Sequence, residues 1–413
     1  MEKCVAAIDL KSFYASCECS ARHLDIFTTP LVCCDPYRSS SSIVMSATPY
    51  LKKKYGVKNV CRRRDLPLVK GMIYAVPRMS FYLQMSAKVN AIFLDYVAEE
   101  DLHVYSVDES FLNLGPYLNL YHCSPEEIVS RIQKDIKDKL GLVATAGIGP
   151  NIFLAKIALD HEGKKREPYI AHWDYEDVPT KLWAISLITE VWGIAHGISG
   201  HLARIGIHSL RELAQADVSL LTKEFGIMGH QLHELANGRD ESDIECKYVP
   251  KEKGLSNGQT LRRNYHKDEA LLLLREMNDD LAARLRETGA VAGRVSLWLG
   301  YSNERGSYAK QMTLPIASDD TDCLYEGIAD LMRGAPDLPM RGLGISYGQL
   351  RQSGHEQLSL FEDGSESLER KRLDESLDTI RSVFGKNSVL RCSSLLQGST
   401  AKQRHEQIGG HKR

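Results

Sequence analysis

The sequence lacks an apolar run long enough to cross a membrane, and its first residues lack the pattern of a signal peptide. We therefore expect a cytoplasmic protein without a membrane segment. The formal net charge of −2 lacks the strong basic excess that marks many nucleic-acid binders. Any role on nucleic acid must then rest on local clusters of charge.

The cysteines lack the paired spacing of a zinc site. Ten of them are scattered along the chain, and neither Cys17-x-Cys19 nor the Cys33-Cys34 pair has a matching second pair. A disulfide framework is also not indicated at this length. We expect reduced, mostly structural thiols.

What is present is an ordinary globular composition. Of the 413 residues, 43% are hydrophobic and 26% are charged, which is typical of a folded, water-exposed protein. The chain is too long for one core, so two to four domains are expected.

The stretch Ile8–Glu18 stands out together with Ser106–Ser110. An apolar run that predicts a buried strand delivers Asp9 to its end, and a predicted tight hairpin carries Asp108 and Glu109 at its tip. Three carboxylates on the ends of neighbouring strands would bind hard divalent cations. The alternative is that each acid caps a turn on its own.

A basic segment accompanies these acids. Between Cys33 and Ala75 nine lysines and arginines stand against two aspartates, a net charge of +7. Such a segment beside a carboxylate cluster suits a polyanion bridged by metal ions. A solvated basic face is the alternative interpretation.

The rest of the chain alternates predicted strands and helices in two blocks. Residues up to Trp173 predict a small antiparallel sheet backed by helices, with Ser124 and Glu127 forming a capping box. Gly-punctuated short helices follow from Trp183, and a weak helix–hairpin–helix pattern there would offer backbone N–H groups to a DNA phosphate. Gly258–Leu350 predicts a second α+β unit, and a charged helical stripe leads to a tip, Gly409–Arg413, that we expect to be disordered.

Three motifs occur in order: Asp-x-x-x-Phe-Tyr-Ala-Ser-x-Glu from Asp9, Ser-Val-Asp-Glu-Ser from Ser106, and Gly-Ile-Gly-Pro-Asn…Leu-Ala-Lys from Gly147. Together they resemble the Y-family (translesion) DNA polymerases. The opening motif is most similar to the UmuC-like branch, and the tail resembles its Gram-positive, often plasmid- or phage-borne relatives. The likeness spans essentially the whole chain.

The resemblance implies an α+β, multidomain right-hand polymerase. Its parts would be a palm, small fingers, a helix–hairpin–helix thumb and an α/β little finger. The implied bounds are 1–12 and 77–175 for the palm, 13–76 for the fingers, 176–240 for the thumb, 241–253 for a linker, 254–350 for the little finger and 351–413 for the tail.

The resemblance also assigns roles in the catalytic site. Asp9, Asp108 and Glu109 would be catalytic and bind two Mg²⁺ ions, with Mn²⁺ as a substitute and the Leu10 carbonyl as a further ligand. Tyr14 would be the steric gate that rejects a ribose 2′-hydroxyl; by periodicity alone it is a core aromatic. The implied nucleotide-binding residues are Lys11, Ser12, Phe13, Tyr14, Tyr50, Lys53 and Lys164.

Three departures from the family pattern affect these assignments. Lys53 stands where relatives often have Arg, and Lys cannot make the planar bidentate phosphate contact. The match to the family pattern shifts by one residue before Gly163, so either Lys164 or Lys165 would be the phosphate ligand. Ala195 replaces a usual Gly in the thumb turn, where Gly193, Ala195 and Gly197 would contact DNA.

The implied partners are primer–template DNA, dNTPs and the bacterial sliding clamp. The Gln-Leu-x-Leu-Phe pattern of clamp-binding peptides is matched by Gln357, Leu358, Leu360 and Phe361; the alternative is a loop anchored on the protein's own core. A UmuD-like accessory subunit is a further candidate, and the protein would associate with the nucleoid during damage-induced (SOS) repair.

The leading hypothesis is a low-fidelity, template-directed DNA polymerase that performs translesion synthesis. The alternatives are a non-catalytic scaffold that binds DNA and the clamp to recruit repair factors, and a component of a structure-specific nuclease. A scaffold relative would lack the three carboxylates that this chain has. The nuclease hypothesis leaves Tyr14 and the second α+β unit unexplained.

Overall fold

A computed structural model describes residues 3–37, 39–246, 249–250, 252–302, 306–353 and 364–412. The chain divides into two compact units, Met1–Lys247 and Tyr248–Arg413. This division falls inside the segment 241–253 for which the sequence predicts a linker. None of the helices in the described ranges combines the length and the apolar content that a bilayer-crossing segment needs.

The N-terminal unit follows the alternation that the sequence predicts. Its elements are β1 (Val5–Leu10), α1 (Phe13–Ser20), β2 (Leu31–Cys33), β3 (Ile43–Val44), β4 (Ser46–Ala47), α2 (Pro49–Tyr55), β5 (Cys61–Arg62), β6 (Ile73–Ala75), α3 (Met79–Leu94), β7 (Leu102–Val104), β8 (Glu109–Asn113), α4 (Gly115–Tyr121), α5 (Pro125–Leu140), β9 (Ala144–Gly149), α6 (Ile152–Ala158), β10 (Ile170–His172), α7 (His196–Arg204), α8 (Leu210–Gln215), α9 (Val218–Phe225) and α10 (Ile227–Ala236).

The C-terminal unit is a four-stranded sheet with helices and a folded tail. Its elements are β11 (Leu255–Tyr265), α11 (Lys267–Glu287), β12 (Ala290–Tyr301), β13 (Ser307–Ser318), α12 (Thr321–Arg333), β14 (Met340–Gln352), α13 (Gly364–Phe384), α14 (Ala401–His405), β15 (Gln407–Ile408) and β16 (His411–Lys412). The sheet has the order β11-β14-β12-β13, with α11 and α12 contributing to one apolar core. The multidomain α+β class is thus confirmed.

A five-stranded sheet in the order β10-β9-β1-β8-β7 organises the N-terminal unit. Its central strand, β1, pairs antiparallel with both β8 and β9. Val5 through Ile8 are buried because this strand is covered on both faces, as its unbroken apolar run predicts. The predicted antiparallel sheet is confirmed for β1, β7, β8 and β9. It was wrong for β10, which runs parallel to β9 because α6 forms a crossover between them.

Small residues let α6 lie directly on β9. A Cβ at Gly147 would stand 2.1 Å from the Ala155 carbonyl oxygen, and one at Gly149 would stand 2.8 Å from the Ala155 nitrogen. Only glycine permits this approach of helix backbone to strand backbone. These two glycines therefore fix the position of α6 and of the side chains that α6 carries toward β1 and β8.

The predicted capping box of α5 is confirmed. The Ser124 hydroxyl accepts from the Glu127 N–H, and the Glu127 carboxylate accepts from the Ser124 N–H. Gly141 ends the helix with φ 67°, in the left-handed region that glycine favours.

The expected disorder of the tip was wrong for residues 409–412. Strands β15 and β16 pair Ile408 with His411. Just before this hairpin, Arg404 and His405 bind the half-buried Asp280 of α11 at 2.8 and 2.9 Å. These ion pairs connect α14, which leads into the hairpin, to α11.

We predict that Gly147→Ala destabilises the fold. The new methyl group would overlap the backbone of α6, so the free energy of unfolding should fall by about 1–3 kcal/mol in urea denaturation. Gly200→Ala is the control, since Gly200 lies inside α7 with open space around it, and alanine there should stabilise by up to about 1 kcal/mol. Equal stability of the Gly147→Ala variant and the parent chain would contradict the close packing of α6 on β9.

Candidate active site

Strand pairing brings the three predicted carboxylates to one end of the sheet. Asp9 lies opposite Glu109 in the β1–β8 ladder, and the Leu10 N–H donates to the Asp108 carbonyl oxygen at 2.9 Å. Asp108 ends the turn between β7 and β8, where its Oδ1 accepts from the Ser106 hydroxyl at 2.8 Å. The tight hairpin predicted around Asp108 and Glu109 is confirmed.

Two lysines lie between these carboxylates. Lys156 Nζ lies 2.7 Å from Oε1 of Glu109 and 3.1 Å from Oδ2 of Asp160. Lys164 Nζ lies 2.8 Å from Oδ1 of Asp160 and 3.0 Å from Oδ2 of Asp9. The five groups form one line of alternating charge, Glu109–Lys156–Asp160–Lys164–Asp9, which we call the charge line.

A π-helical turn explains which lysine faces the site. Leu159–Gly163 continues α6 as a π-helix, which takes up one more residue than an α-helical turn. Gly163 then passes so close to β9 that a Cβ would stand 2.2 Å from the Ala146 carbonyl oxygen. Lys164 consequently points to Asp9, whereas Lys165 is exposed. The one-residue slip in the sequence coincides with this turn.

Burial and the charge line set the protonation of the site. Burial raises the pKa of Asp9 to about 6, against the lowering effect of Lys164 and with a further increase from Asp108 and Glu109. Burial also disfavours the charged forms of Asp160 and Lys164, but the attraction of Asp160 to Lys164 and Lys156, and of Lys164 to Asp9 and Asp160, outweighs it. The pKa of Asp160 is therefore below its usual range and that of Lys164 above it.

The donor set fits divalent metal ions, as the family likeness implies. The carboxylate oxygens of Asp9, Asp108 and Glu109 are hard donors of the kind that such ions take. Lys156 Nζ lies 2.7 Å from Oε1 and 2.8 Å from Oε2 of Glu109, so one ammonium group contacts both oxygens of this carboxylate. Over the described residues no three His, Cys, Asp or Glu side chains converge into a ready-made metal cage. The lysine ammonium groups are the counter-charges that metal ions would replace.

Tyr14 lies in the first turn of α1 and packs against α3. Its ring packs at 4.9 Å between centroids against the buried ring of Tyr82. Burial, followed by the negative charge of Asp108, raises the pKa of the Tyr14 hydroxyl. The Tyr82 hydroxyl donates to Glu18 at 2.8 Å, and Arg78 donates to the same carboxylate. Glu18, the last residue of the first motif, thus holds the surface on which Tyr14 rests.

The start of α1 provides backbone donors. Ser12, with φ 49° in the left-handed region, precedes the helix, so the N–H groups of Phe13 and Tyr14 have no partner within it. The Lys11 N–H is different, because it donates to the Val143 carbonyl oxygen at 2.8 Å. The Lys11 side chain reaches the Lys164 carbonyl oxygen at 2.8 Å and lies 4.4 Å from the centre of the Tyr169 ring.

The predicted phosphate ligands on α2 do not all face this site. Tyr50 is half-buried, and its hydroxyl accepts from Lys54 at 3.1 Å. Lys53 is exposed. Its neighbour Lys52, which the sequence did not single out, donates from Nζ to the Ser12 hydroxyl at 2.9 Å.

The predicted DNA contacts lie at the start of α7. Gly193 has φ 92°, a conformation that glycine favours, and Ala195 is the residue before the helix. Gly197 lies in the first turn, where a side chain would meet open space. Trp192 donates from Nε1 to the Tyr105 hydroxyl at 3.4 Å, which ties this turn to the β7–β8 turn. The predicted clamp-binding residues Gln357, Leu358, Leu360 and Phe361 lie outside the described residues.

Several contacts of the site were not recognised from the sequence. The motifs include Lys156 without indicating a role for it, and the sequence indicates no role for Asp160 or Lys52. The spacing of Lys156, Asp160 and Lys164, each four residues after the last, was the available signal. For Lys52 the run of three lysines hides the signal, because the sequence does not show which of them faces inward.

The sequence of this chain is similar to those of known proteins. Residues 8–160 match the model of the impB/mucB/samB family, and residues 252–360 match the C-terminal domain of that family. The chain is 34% identical to UvrX of Bacillus subtilis (strain 168), named as a UV-damage repair protein, over 99% of this chain and 98% of the relative. It is 31% identical to DNA polymerase IV 2 of the same organism, over 99% of both chains.

A solved structure supports the fold. A Y-family DNA polymerase chimera superposes with a TM-score of 0.67 at 21% identity, over 85% of this chain and all of the chimera. The expected right-hand architecture is therefore confirmed.

All ten cysteines lie in the described part of the chain and are free thiols, as expected.

We predict that Lys156→Met destabilises the metal-free protein. The side chains of Lys156 and Glu109 are 8% and 9% exposed, so the loss of the ammonium group leaves a buried carboxylate uncompensated. The free energy of unfolding should fall by about 3–5 kcal/mol in EDTA, and Mg²⁺ should restore part of it. Lys134→Met is the control, since this exposed lysine of α5 pairs only at the surface and should matter by less than about 1 kcal/mol. Equal losses in the two variants would refute a supporting role for Lys156.

Proposed function

The chain belongs to the impB/mucB/samB family, that of the UmuC-like Y-family DNA polymerases, and on this premise we propose how its site copies DNA. It is a DNA-directed DNA polymerase of low fidelity that performs translesion synthesis in DNA repair. The observation that carries the proposal is the meeting of Asp9, Asp108 and Glu109 at one end of β1 and β8, beside Lys164.

The three carboxylates and the Leu10 carbonyl would hold two Mg²⁺ ions, which Mn²⁺ can replace. When bound, these ions lower the pKa of the primer 3′-hydroxyl and stabilise the leaving pyrophosphate. Without metal ions, Lys156 pairs with Glu109 and Lys164 pairs with Asp9. Lys164 lies at the edge of the set, where its ammonium group can turn from Asp9 to a phosphate oxygen.

The substrates are primer–template DNA and dNTPs. The N–H groups of Ser12, Phe13 and Tyr14 would bind phosphate oxygens at the start of α1, with Tyr50 and Lys164 on the β and γ phosphates. Lys11 would act there through its side chain, since its N–H is already bonded to Val143. The resemblance adds Lys53, whose side chain is exposed in this structure. Tyr14 would select deoxyribose by occupying the space of a 2′-hydroxyl.

The wider assignments extend the same proposal. The palm would be 1–12 and 77–175, the fingers 13–76, the thumb 176–240 and the little finger 254–350. Gly193, Ala195 and Gly197 would grip a DNA phosphate through their backbone. The peptide Gln357–Phe361 would dock on the sliding clamp, a UmuD-like subunit would assist, and the protein would act on the nucleoid in the cytoplasm. No observation favours the scaffold alternative, since all three carboxylates are present.

We predict that Asp108→Ala abolishes primer extension. The purified protein should extend a primer opposite an abasic site with Mg²⁺, and the variant should not, because it loses a ligand that no neighbour replaces. Asp95→Ala, which removes an exposed acid at the end of α3, is the control and should extend normally. Extension that survives Asp108→Ala would contradict the assignment.

We predict that Tyr14→Ala admits ribonucleotides. Removal of the ring opens the space beside the sugar, so the ratio of rNTP to dNTP incorporation should rise by roughly 10- to 100-fold in single-nucleotide kinetics. Tyr14→Phe keeps the ring and should leave the ratio unchanged. If both variants select sugars like the parent chain, the gate lies elsewhere.

A further inference from the structure

Three lysine side chains converge beside the first turn of α1. Lys52 Nζ donates to the Ser12 hydroxyl at 2.9 Å, and Lys11 Nζ donates to the Lys164 carbonyl oxygen at 2.8 Å. Lys164 Nζ itself lies 3.0 Å from Asp9. The three come from separate parts of the chain: Lys11 lies between β1 and α1, Lys52 lies on α2, and Lys164 directly follows the π-helical turn. We call Lys11, Lys52 and Lys164 the lysine triad.

The triad carries more positive charge than its surroundings neutralise. Lys164 has two carboxylate partners, Asp9 and Asp160. Within the described ranges neither Lys11 nor Lys52 forms an ion pair, although both are half-buried. Burial, followed by repulsion from Lys11 and Lys164, lowers the pKa of Lys52. Partly desolvated cations that repel one another are stabilised by an anion with several charges.

Helix α2 presents only one of its central lysines to this place. Successive residues of an α-helix point about 100° apart, so Lys52 and Lys53 cannot both face Ser12. Leu51 is fully buried, Lys52 contacts Ser12, and Lys53 is exposed. The contact with Ser12 also places the Lys52 ammonium group beside the backbone donors of Phe13 and Tyr14.

We propose that Lys52, and not Lys53, supplies the α2 cation for the triphosphate of the incoming nucleotide, together with Lys11 and Lys164. The inference rests on the proposed function for its ligand, and it changes the residue that the family likeness assigns. A triphosphate has three phosphate groups, one for each ammonium group of the lysine triad, and its negative charge is spread over all three. The triad therefore favours triphosphates over mono- and diphosphates by charge, independently of base and sugar.

Binding of inorganic tripolyphosphate to the full-length protein tests this proposal without DNA or catalysis. Isothermal titration calorimetry in metal-free buffer should show Lys52→Met weakening the affinity by about tenfold or more, since a charge-assisted contact is lost. Lys53→Met, the adjacent control, should change the affinity by less than about twofold. Lys52→Arg keeps the charge and should retain most of the affinity.

A parallel measurement separates this proposal from the polymerase assignment. In primer extension, Lys52→Met should raise the KM for dNTP and leave kcat close to that of the parent chain. Tripolyphosphate affinity that depends on Lys53 rather than Lys52, or that is absent from the parent chain, would overturn the role of Lys52. The polymerase assignment would instead be contradicted if Asp108→Ala still extended the primer. In that case tripolyphosphate binding would be unaffected.

Discussion

Buried carboxylates at the end of a sheet need positive charge nearby, and the charge line meets that need in this protein. Glu109, Asp160 and Asp9 alternate with Lys156 and Lys164 at distances of 2.7 to 3.1 Å. Without the lysines, the neighbouring carboxylates would repel one another. Two acids of this line, Asp9 and Glu109, are together with Asp108 the ones that we propose as metal ligands. The lysines therefore reconcile a stable metal-free fold with a reactive site.

Backbone packing keeps the charge line in place. Gly147 and Gly149 let α6 touch β9, and the π-helical turn then carries the chain back so that Asp160 and Lys164 lie on the face toward β1. Glu18 has a similar role on α1, where it binds Tyr82 and Arg78 beneath Tyr14. The side chains that we assign to chemistry thus rest on other residues that support them. Their precision comes from these supporting contacts.

Much of this arrangement could be predicted from the sequence, because local signals were strong. Apolar runs ending in acids located β1 and the β7–β8 hairpin, and Ser124 with Glu127 marked the start of α5. What could not be predicted depended on contacts between distant residues. The parallel position of β10 results from a crossover. The ordered residues 407–412 come after α14, whose Arg404 and His405 form ion pairs with Asp280. The inward position of the Lys52 side chain depends on Ser12. Composition and periodicity carry no information on such pairings.

We propose that Asp9, Asp108 and Glu109 form a common site for divalent metal ions. Iron-mediated cleavage tests it most directly, because Fe²⁺ in place of Mg²⁺ generates hydroxyl radicals that cut the backbone near the bound ion. With primer–template DNA and dNTP present, we expect the backbone to be cleaved next to Asp9 and next to Asp108. Excess Mg²⁺ should suppress both cleavages. Cleavage elsewhere, or at only one of these two segments, would contradict a shared metal site.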